Sequence, residues 1–201
     1  IGAGHPFYDD NHQSTTQGDF SHISQADWEA VSTGQTDRAF LEPRADFEAL
    51  TTGETPEKVF GVPPVGSTLQ QGRDSGAPMN DVPNLATLAQ GAINTLGANE
   101  EGFFLMVEGG AIDWTGHANE SDRNLEEVAD FDTAVDSVID WVETNSNWDE
   151  TLVVVTADHE TGYLYGEQEG DFSSIIPAGA DAAEGALPTH TWNSDNHTNQ
   201  L

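Results

Sequence analysis

The sequence predicts an α/β fold in which a largely parallel sheet is covered by helices. Three observations carry that expectation. Residues 103–107 (FFLMV) and 151–157 (TLVVVTA) are short, almost continuously apolar runs of strand length. That is the pattern of strands buried on both faces. Between them, residues 122–144 place Leu125, Val128, Phe131, Val135, Val138, Ile139 and Val142 on one helical stripe. Strand, helix and strand of these lengths form a right-handed parallel crossover.

The remaining elements follow from local signals, in chain order. Residues 1–6 (IGAGHP) read as a strand end running into a glycine turn that Pro6 closes. His5 and His12 fall in this loop region and read as structural or surface histidines rather than ligands. Ser24 is an N-cap for a helix over 25–33, which Gly34 ends. A short helix is expected over 45–50, after Pro43-Arg44, and a short strand over 59–62, closed by Pro63-Pro64. Residues 68–79 are a glycine-rich polar connection expected to wrap the surface. Pro83 opens a helix over 84–96, with Leu85, Leu88, Ala92, Ile93 and Leu96 near helical spacing and Gly97 as its C-cap. Residues 145–150 form a turn. Beyond Leu164 the chain becomes rich in Gly, Ala, Ser and Asp, and an irregular excursion is expected that returns at residues 192–197.

Composition bounds the function classes. The chain has 201 residues, the size of one ordinary domain or a large piece of one, and 36% of them are apolar. Its 36 acidic and 5 basic residues give a formal charge of -31, which excludes nucleic-acid binding through a basic patch. So acidic a composition also fits a disordered chain. The apolar runs, with five Trp and nine Phe, favour instead a folded protein with a strongly hydrated acidic surface of halophilic type. Its stability is expected to rise with salt. Without cysteine there is no disulfide and no thiolate zinc site, so a transition metal must use His, Asp and Glu. No apolar run approaches the roughly 18 residues of a membrane span, and no secretion signal is visible. The chain starts at Ile1 in what reads as a strand end and stops at Leu201 after a polar loop, so both ends read as cut from something longer.

In open parallel sheets, ligands bind beyond the carboxyl ends of strands. Glu108 ends the first apolar run and Asp158-His159 end the second. Gly109-Gly110 permits a sharp turn after Glu108. If 112–118 is helical, Asp113 and His117, four apart, face the same side. Glu108, Asp113, His117, Asp158, His159 and one later histidine are therefore candidate metal ligands. Mixed His and Asp ligands suit zinc, and all-oxygen sites suit magnesium. Taken singly, each of these residues also reads as a helix-start carboxylate or a core histidine. The functional reading rests on their convergence at two strand ends.

The stretches VEGGAIDWTGHAN, VTADHETG and SDNHTNQL resemble those of the alkaline phosphatases. IGAGHP, VFGVP and NLATLAQGAINTL also resemble family segments, and the likeness is weakest across residues 166–190. The resemblance implies an alkaline-phosphatase-like α/β/α sandwich with a largely parallel central sheet, of which residues 1–201 are the C-terminal portion of a single domain. It implies two zinc ions and one magnesium. Glu108 would bind the magnesium, Asp113, His117 and His197 one zinc, and Asp158 and His159 the other. Trp114 would line the pocket mouth or pack. His190 is the rival of His197, but lacks the following Thr-Asn context. The implied reaction is hydrolysis of phosphate monoesters to inorganic phosphate through a phosphoserine, with two metals clamping an in-line displacement.

The second zinc has only two ligands in this chain. The family's third ligand, its Asp-Ser nucleophile motif, its phosphate-binding Arg and its magnesium-binding Thr have no match here. None of Arg38, Arg44, Arg73 or Arg123 stands in a matching context. The expectation is therefore a chain that is inactive alone and completed by a missing N-terminal portion of the same protein. The complete protein is expected to be a periplasmic or extracellular homodimer. Two alternatives stay open at this point: a non-catalytic metal-binding module, and a two-metal superfamily relative acting on phosphodiesters or sulfate esters.

Overall fold

A local N-cap starts the first helix. In the computed structural model, which describes residues 1–166, 183 and 185–198, α1 (Gln25–Ser32) begins where the Asp27 N–H donates to the Ser24 side chain at 3.1 Å. The strand β1 (Ala39–Leu41) follows, then α2 (Arg44–Leu50) and β2 (Val59–Gly61). β1 and β2 pair in parallel, with Ala39 opposite Val59 and Leu41 opposite Gly61. The parallel connection thus lies around α2. β1 itself, three residues in a polar setting, left no periodic signal in the sequence.

The helix α3 (Leu85–Leu96) starts at Asn84, whose side chain accepts from the Thr87 N–H at 2.9 Å, and ends at Gly97. It packs against α2, and Asn94 Nδ2 donates to the Leu50 carbonyl at 2.8 Å. Trp28 and Val31 of α1, Phe47 and Leu50 of α2, and Leu88, Ala89 and Ile93 of α3 are buried. Truncating a buried Phe such as Phe47 to Ala costs about 3–5 kcal/mol in cores of this kind. The connection over 68–79 is anchored to this core rather than draped over it. Thr68, Gln70 and Asn80 are buried, and the Gln70 side chain bonds the Asn80 backbone twice, Nε2 donating to the carbonyl at 3.1 Å and Oε1 accepting from the N–H at 2.8 Å. Residues 1–6 form no strand. They bond as single backbone pairs, Gly2 N–H to Gly61 and His5 N–H to Val65.

The helix α4 (Ala111–Ala118) ends at Asn119, which takes the left-handed conformation at φ 56°. The helix α5 (Ser121–Asn145) follows, over the range its periodicity predicts. The flanking apolar runs behave differently. Residues 103–107 and 151–157 form no regular secondary structure, and neither pairs with a strand among the described residues. Phe104 is 89% exposed and Leu152 86%. The expected strand–helix–strand crossover is therefore not formed. A continuously apolar run is buried only where neighbours cover both its faces, and here the cover is partial: Phe103 meets the Trp141 ring at 5.9 Å, and Leu105, Val107 and Val153 are half-buried. The stripe of α5 is affected in the same way: Val142 is fully buried, while Leu125 and Val128 are exposed.

The chain divides into two compact units. One comprises Ile1–Gly109 with Glu127–Val153, and contains α1, α2, α3, β1 and β2. The other comprises Gly110–Glu126 with Val154–Leu201, and contains α4 and the antiparallel pair β3 (Leu164–Tyr165) and β4 (Thr191–Trp192). The expected return over 192–197 is present as β4 and the loop after it. The irregular excursion before it falls mostly on 167–182 and 184, outside the described residues.

Candidate metal centre

The site is built on α4. Asp113 and His117 stand four residues apart, so a helix of 3.6 residues per turn presents both on one side. His117 Nε2 lies 3.5 Å from Asp113 Oδ2. The third member arrives from the loop after β4, where His197 Nε2 lies 3.2 Å from Asp113 Oδ1. One ligand atom from each of the three residues falls within 4.8 Å of the others.

Close approach of two loop segments to α4 depends on glycines. A Cβ on Gly116 would meet the Thr161 carbonyl at 2.8 Å and the Thr161 Cβ at 2.9 Å. Gly162 sits at φ +84°, with Trp192 where a side chain would go. The Asn193 and Ser194 N–H groups donate to the Gly162 carbonyl at 3.1 and 3.2 Å, and the Gly162 N–H donates to Asn196 at 3.3 Å. The 161–162 segment therefore lies between α4 and the loop that carries His197.

Second contacts orient the rings. His117 Nδ1 is 2.8 Å from the Asp195 carbonyl, an atom that only accepts, so Nδ1 carries a proton and Nε2 is the nitrogen turned toward Asp113. Thr161 Oγ1 donates to Asp113 Oδ1, the oxygen that also faces His197. Burial opposes ionisation of Asp113. The hydrogen bonds from Thr161 and His197, with the charges of His117 and His197, outweigh it and hold the carboxyl below its usual range.

The donor set fits zinc. Four ligands at about 2.0–2.1 Å in a tetrahedron stand about 3.3 Å apart. His197 and His117 approach Asp113 on different oxygens, Oδ1 at 3.2 Å and Oδ2 at 3.5 Å, and one ligand atom from each residue lies within 4.8 Å of the others. Two imidazole nitrogens and one carboxylate, with other positions left to solvent, are also the ligand chemistry of open zinc sites.

His159 lies beside this group, its ring centroid 3.8 Å from that of His197. Its Nδ1 is 3.2 Å from the Glu160 carbonyl, and its Nε2 is 3.5 Å from Asp158 Oδ2. Asp158 and His159 thus form an adjacent pair, outside the group that Asp113, His117 and His197 make. Glu108 belongs to the other compact unit and is exposed. Trp114, next to Asp113 on α4, is 46% exposed. His190 is engaged elsewhere: its Nε2 meets Ser121 Oγ at 2.5 Å and its Nδ1 the Pro188 carbonyl at 2.7 Å. Between the rival histidines, His197 is the one beside Asp113. His5 is buried in the other unit, in keeping with a structural role.

Two residues at the site had no place in the ligand reasoning, Glu160 and Thr161. Glu160 Oε1 accepts from the Thr198 N–H at 2.6 Å and from the Thr198 hydroxyl. Its Oε2 accepts from the Tyr163 N–H at 3.1 Å. Burial raises the Glu160 carboxyl, but these donors and the charge of His197 more than offset it and hold the group below its usual range. The one signal in the sequence was the placement of a carboxylate and a hydroxyl directly after a candidate ligand pair, where partners of ligands commonly sit.

A family profile described as alkaline phosphatase matches residues 29–186. Alkaline phosphatase 3 of Bacillus subtilis (strain 168) is 44% identical over 82 residues, which are 41% of this chain and 17% of that protein. Two solved structures share the fold. The cold-active alkaline phosphatase from the psychrophile Shewanella sp. aligns with a TM-score of 0.58 at 27% identity, over 86% of this chain and 36% of its own. The alkaline phosphatase from the Antarctic bacterium TAB5 aligns at 0.54 and 25%, over 86% of this chain and 45% of its own. The chain therefore spans well under half the length of these relatives. The likeness extends through the α4 region and both compact units.

Proposed function

Because the chain belongs to the alkaline phosphatase family, with an alkaline-phosphatase-like α/β fold, we propose that it supplies the metal-binding part of a site that hydrolyses phosphate monoesters. The observation that carries this reading is the convergence of Asp113, His117 and His197, each with a ligand atom within 4.8 Å of the others. On this reading these three hold one zinc, Asp158 and His159 contribute to a second, and Glu108 serves a magnesium. Bound there, the metals supply positive charge and Lewis acidity at the phosphoryl group.

The chain's own residues prepare that site. Asp113 is held ionised by its donors, and the bond from His117 Nδ1 to the Asp195 carbonyl turns its Nε2 toward the same carboxylate. Thr161 fixes the Asp113 rotamer from the loop side. Trp114 lies on the exposed part of α4 and shields one side of the pocket mouth. A chain with a formal charge of -31 repels a phosphate dianion unless local positive charge dominates, so the metals answer an electrostatic requirement as well as a chemical one.

The serine nucleophile and the phosphate-binding arginine belong, on this reading, to a further portion of a longer protein. Residues 1–201 are then the C-terminal portion of one domain, in a homodimer located in the periplasm or outside the cell. The relatives' greater length supports this, as do Phe104, Met106, Leu152 and Val154, all more than two-thirds exposed on segments that pair with no strand among the described residues. Alone, the chain does not turn over. Among the described residues no helix is long and apolar enough to cross a membrane.

The test is anomalous scattering at the zinc edge from crystals of the zinc-replete chain, with a monoester assay on the same preparation. A peak between His117 and His197, with no turnover, is the expected result. Absence of a peak there removes the metal reading, and robust turnover by this chain removes the proposal that its nucleophile lies elsewhere. Assaying the longer protein on monoesters, diesters and sulfate esters distinguishes the phosphomonoesterase from its relatives.

A further inference from the structure

The carboxylate of Glu160 joins two segments that each carry a candidate ligand. Glu160 directly follows His159, and Thr198 directly follows His197. Glu160 Oε1 takes both Thr198 donors, the N–H at 2.6 Å and the hydroxyl. Its second oxygen takes the Tyr163 N–H at 3.1 Å, beyond the Gly162 turn. On the other side of His197, the loop is held by the Gly162 N–H bond to Asn196 at 3.3 Å and by His117 Nδ1 against the Asp195 carbonyl at 2.8 Å. The His197 backbone is therefore suspended between these anchors, and the shortest, charge-assisted one is Glu160.

A displacement of Thr198 moves the His197 ring, because the residues are adjacent in the chain. The ring makes one contact to Asp113 at 3.2 Å and stacks on His159 at 3.8 Å. Both separations are set by where residues 197–198 rest. Glu160 is not itself in the Asp113–His117–His197 group.

We propose that Glu160 is a positioning residue for the metal centre: through Thr198 it fixes His197 against Asp113, and through the chain it ties that placement to His159. The inference rests on the metal reading given above. It assigns Glu160 no contact with substrate or metal. Thr198 is its working partner, and Tyr163 fixes the second oxygen.

The experiment measures zinc affinity of the full chain by competition with a chromogenic chelator, and the visible spectrum of the cobalt-substituted chain. Loss of such a partner of a metal ligand costs about 10–100-fold in metal affinity. Glu160→Ala is expected to weaken zinc by that factor and to alter the cobalt band. Thr198→Val, which keeps the backbone donor, is expected to have a smaller effect of the same kind. Glu160→Gln retains an oxygen for Thr198 and is expected to recover most of the affinity. Glu143→Gln, exposed on α5, serves as the charge-matched control and is expected to change neither readout. If the wild-type chain binds zinc and cobalt while folded Glu160→Gln, Glu160→Ala and Thr198→Val match it in both readouts, the positioning role is wrong and the metal reading stands. If the wild-type chain binds neither metal at Asp113 and His197, both fail together.

Discussion

His197 and Asp113 stand 84 positions apart in the chain, yet Nε2 of the one lies 3.2 Å from Oδ1 of the other. The opposite oxygen of the same carboxylate faces His117 at 3.5 Å. A single carboxylate thus meets two imidazoles, one on each oxygen, with a threonine hydroxyl also on the oxygen that faces His197. All three side chains are between 32% and 42% exposed.

That exposure separates binding from stability. Removing a partly exposed ion pair changes stability by about 1 kcal/mol or less, whereas on the proposed metal reading the loss of one of these three residues opens the centre. Asp113→Ala, His117→Ala and His197→Ala are each expected to weaken zinc by at least the 100-fold upper end seen for second-contact partners. Their metal-free melting temperatures should stay near that of the wild type. Chelator competition and calorimetry read the two quantities, and unchanged zinc affinity in all three variants overturns the site.

Gly116 controls how closely the 161 segment approaches α4. In Gly116→Ala the new methyl would stand 2.8 Å from the Thr161 carbonyl, a backbone atom that cannot turn aside. Alanine is the better helix former by about 1 kcal/mol, but overpacking typically costs about 1–3 kcal/mol. The expected net result is destabilisation, with Thr161 pushed off Asp113 and zinc affinity reduced. Gly2→Ala, where nothing lies within 4 Å, is the control. A Gly116→Ala chain that melts higher and binds zinc normally contradicts the packing described.

Local signals were the legible part of this chain. Ser24 announces a helix start because a capping side chain acts within three residues, Pro83 marks the start of α3 to within two residues, and the stripe in α5 is likewise internal to the helix. Asp113 and His117 share a face for the same reason. The apolar runs at 103–107 and 151–157 illustrate the converse. Their composition states a demand for burial, not which segment meets it, and Phe104 and Leu152 remain exposed. β1 was not legible because three residues carry no period. Glu160 and Thr161 escaped because their partners, Thr198 and Asp113, lie 38 and 48 residues away. Only the fold brings those groups within bonding distance.

His5 predicts an acid-sensitive core. It is buried among Trp28 and Tyr8, each with its ring centroid 4.7 Å away. The Phe7 N–H donates to its Nδ1 at 3.0 Å, which requires that nitrogen unprotonated. Glu42 stands 3.5 Å from Nε2, its own carboxyl raised by burial and by Asp46. Burial prevails over that neighbour and lowers the His5 value from 6.5 to about 4. Between those values the unfolded chain takes a proton that the folded chain refuses. Stability is therefore fully present above about pH 6.5, declines as pH falls toward about 4, and is flat for this group below that. His5→Gln offers an oxygen to Phe7 but cannot be protonated. Its urea midpoint should fall less than the wild type's between pH 7.5 and 5. Parallel declines in the two chains would exclude His5 as the cause.

The outer face of α5 predicts a response to salt. Asp132, Asp136 and Asp140 follow one another at four-residue spacing and are all exposed. Like charges at that spacing destabilise a helix by about 0.2–0.5 kcal/mol per pair. The chain's formal charge of -31 adds repulsion at longer range. Screening shortens from about 10 Å at 0.1 M salt to about 3 Å at 1 M, so the melting temperature should rise as KCl is increased into the molar range. Asp136→Lys replaces two repulsions with two attractions, worth about 1 kcal/mol at low salt, or about 2–4 °C for a chain of this size. The gain should shrink as salt is added, because the same ions already screen the wild type. A melting temperature that is flat or falls with salt, or an Asp136→Lys gain that persists in 2 M KCl, would show that surface repulsion does not limit this fold.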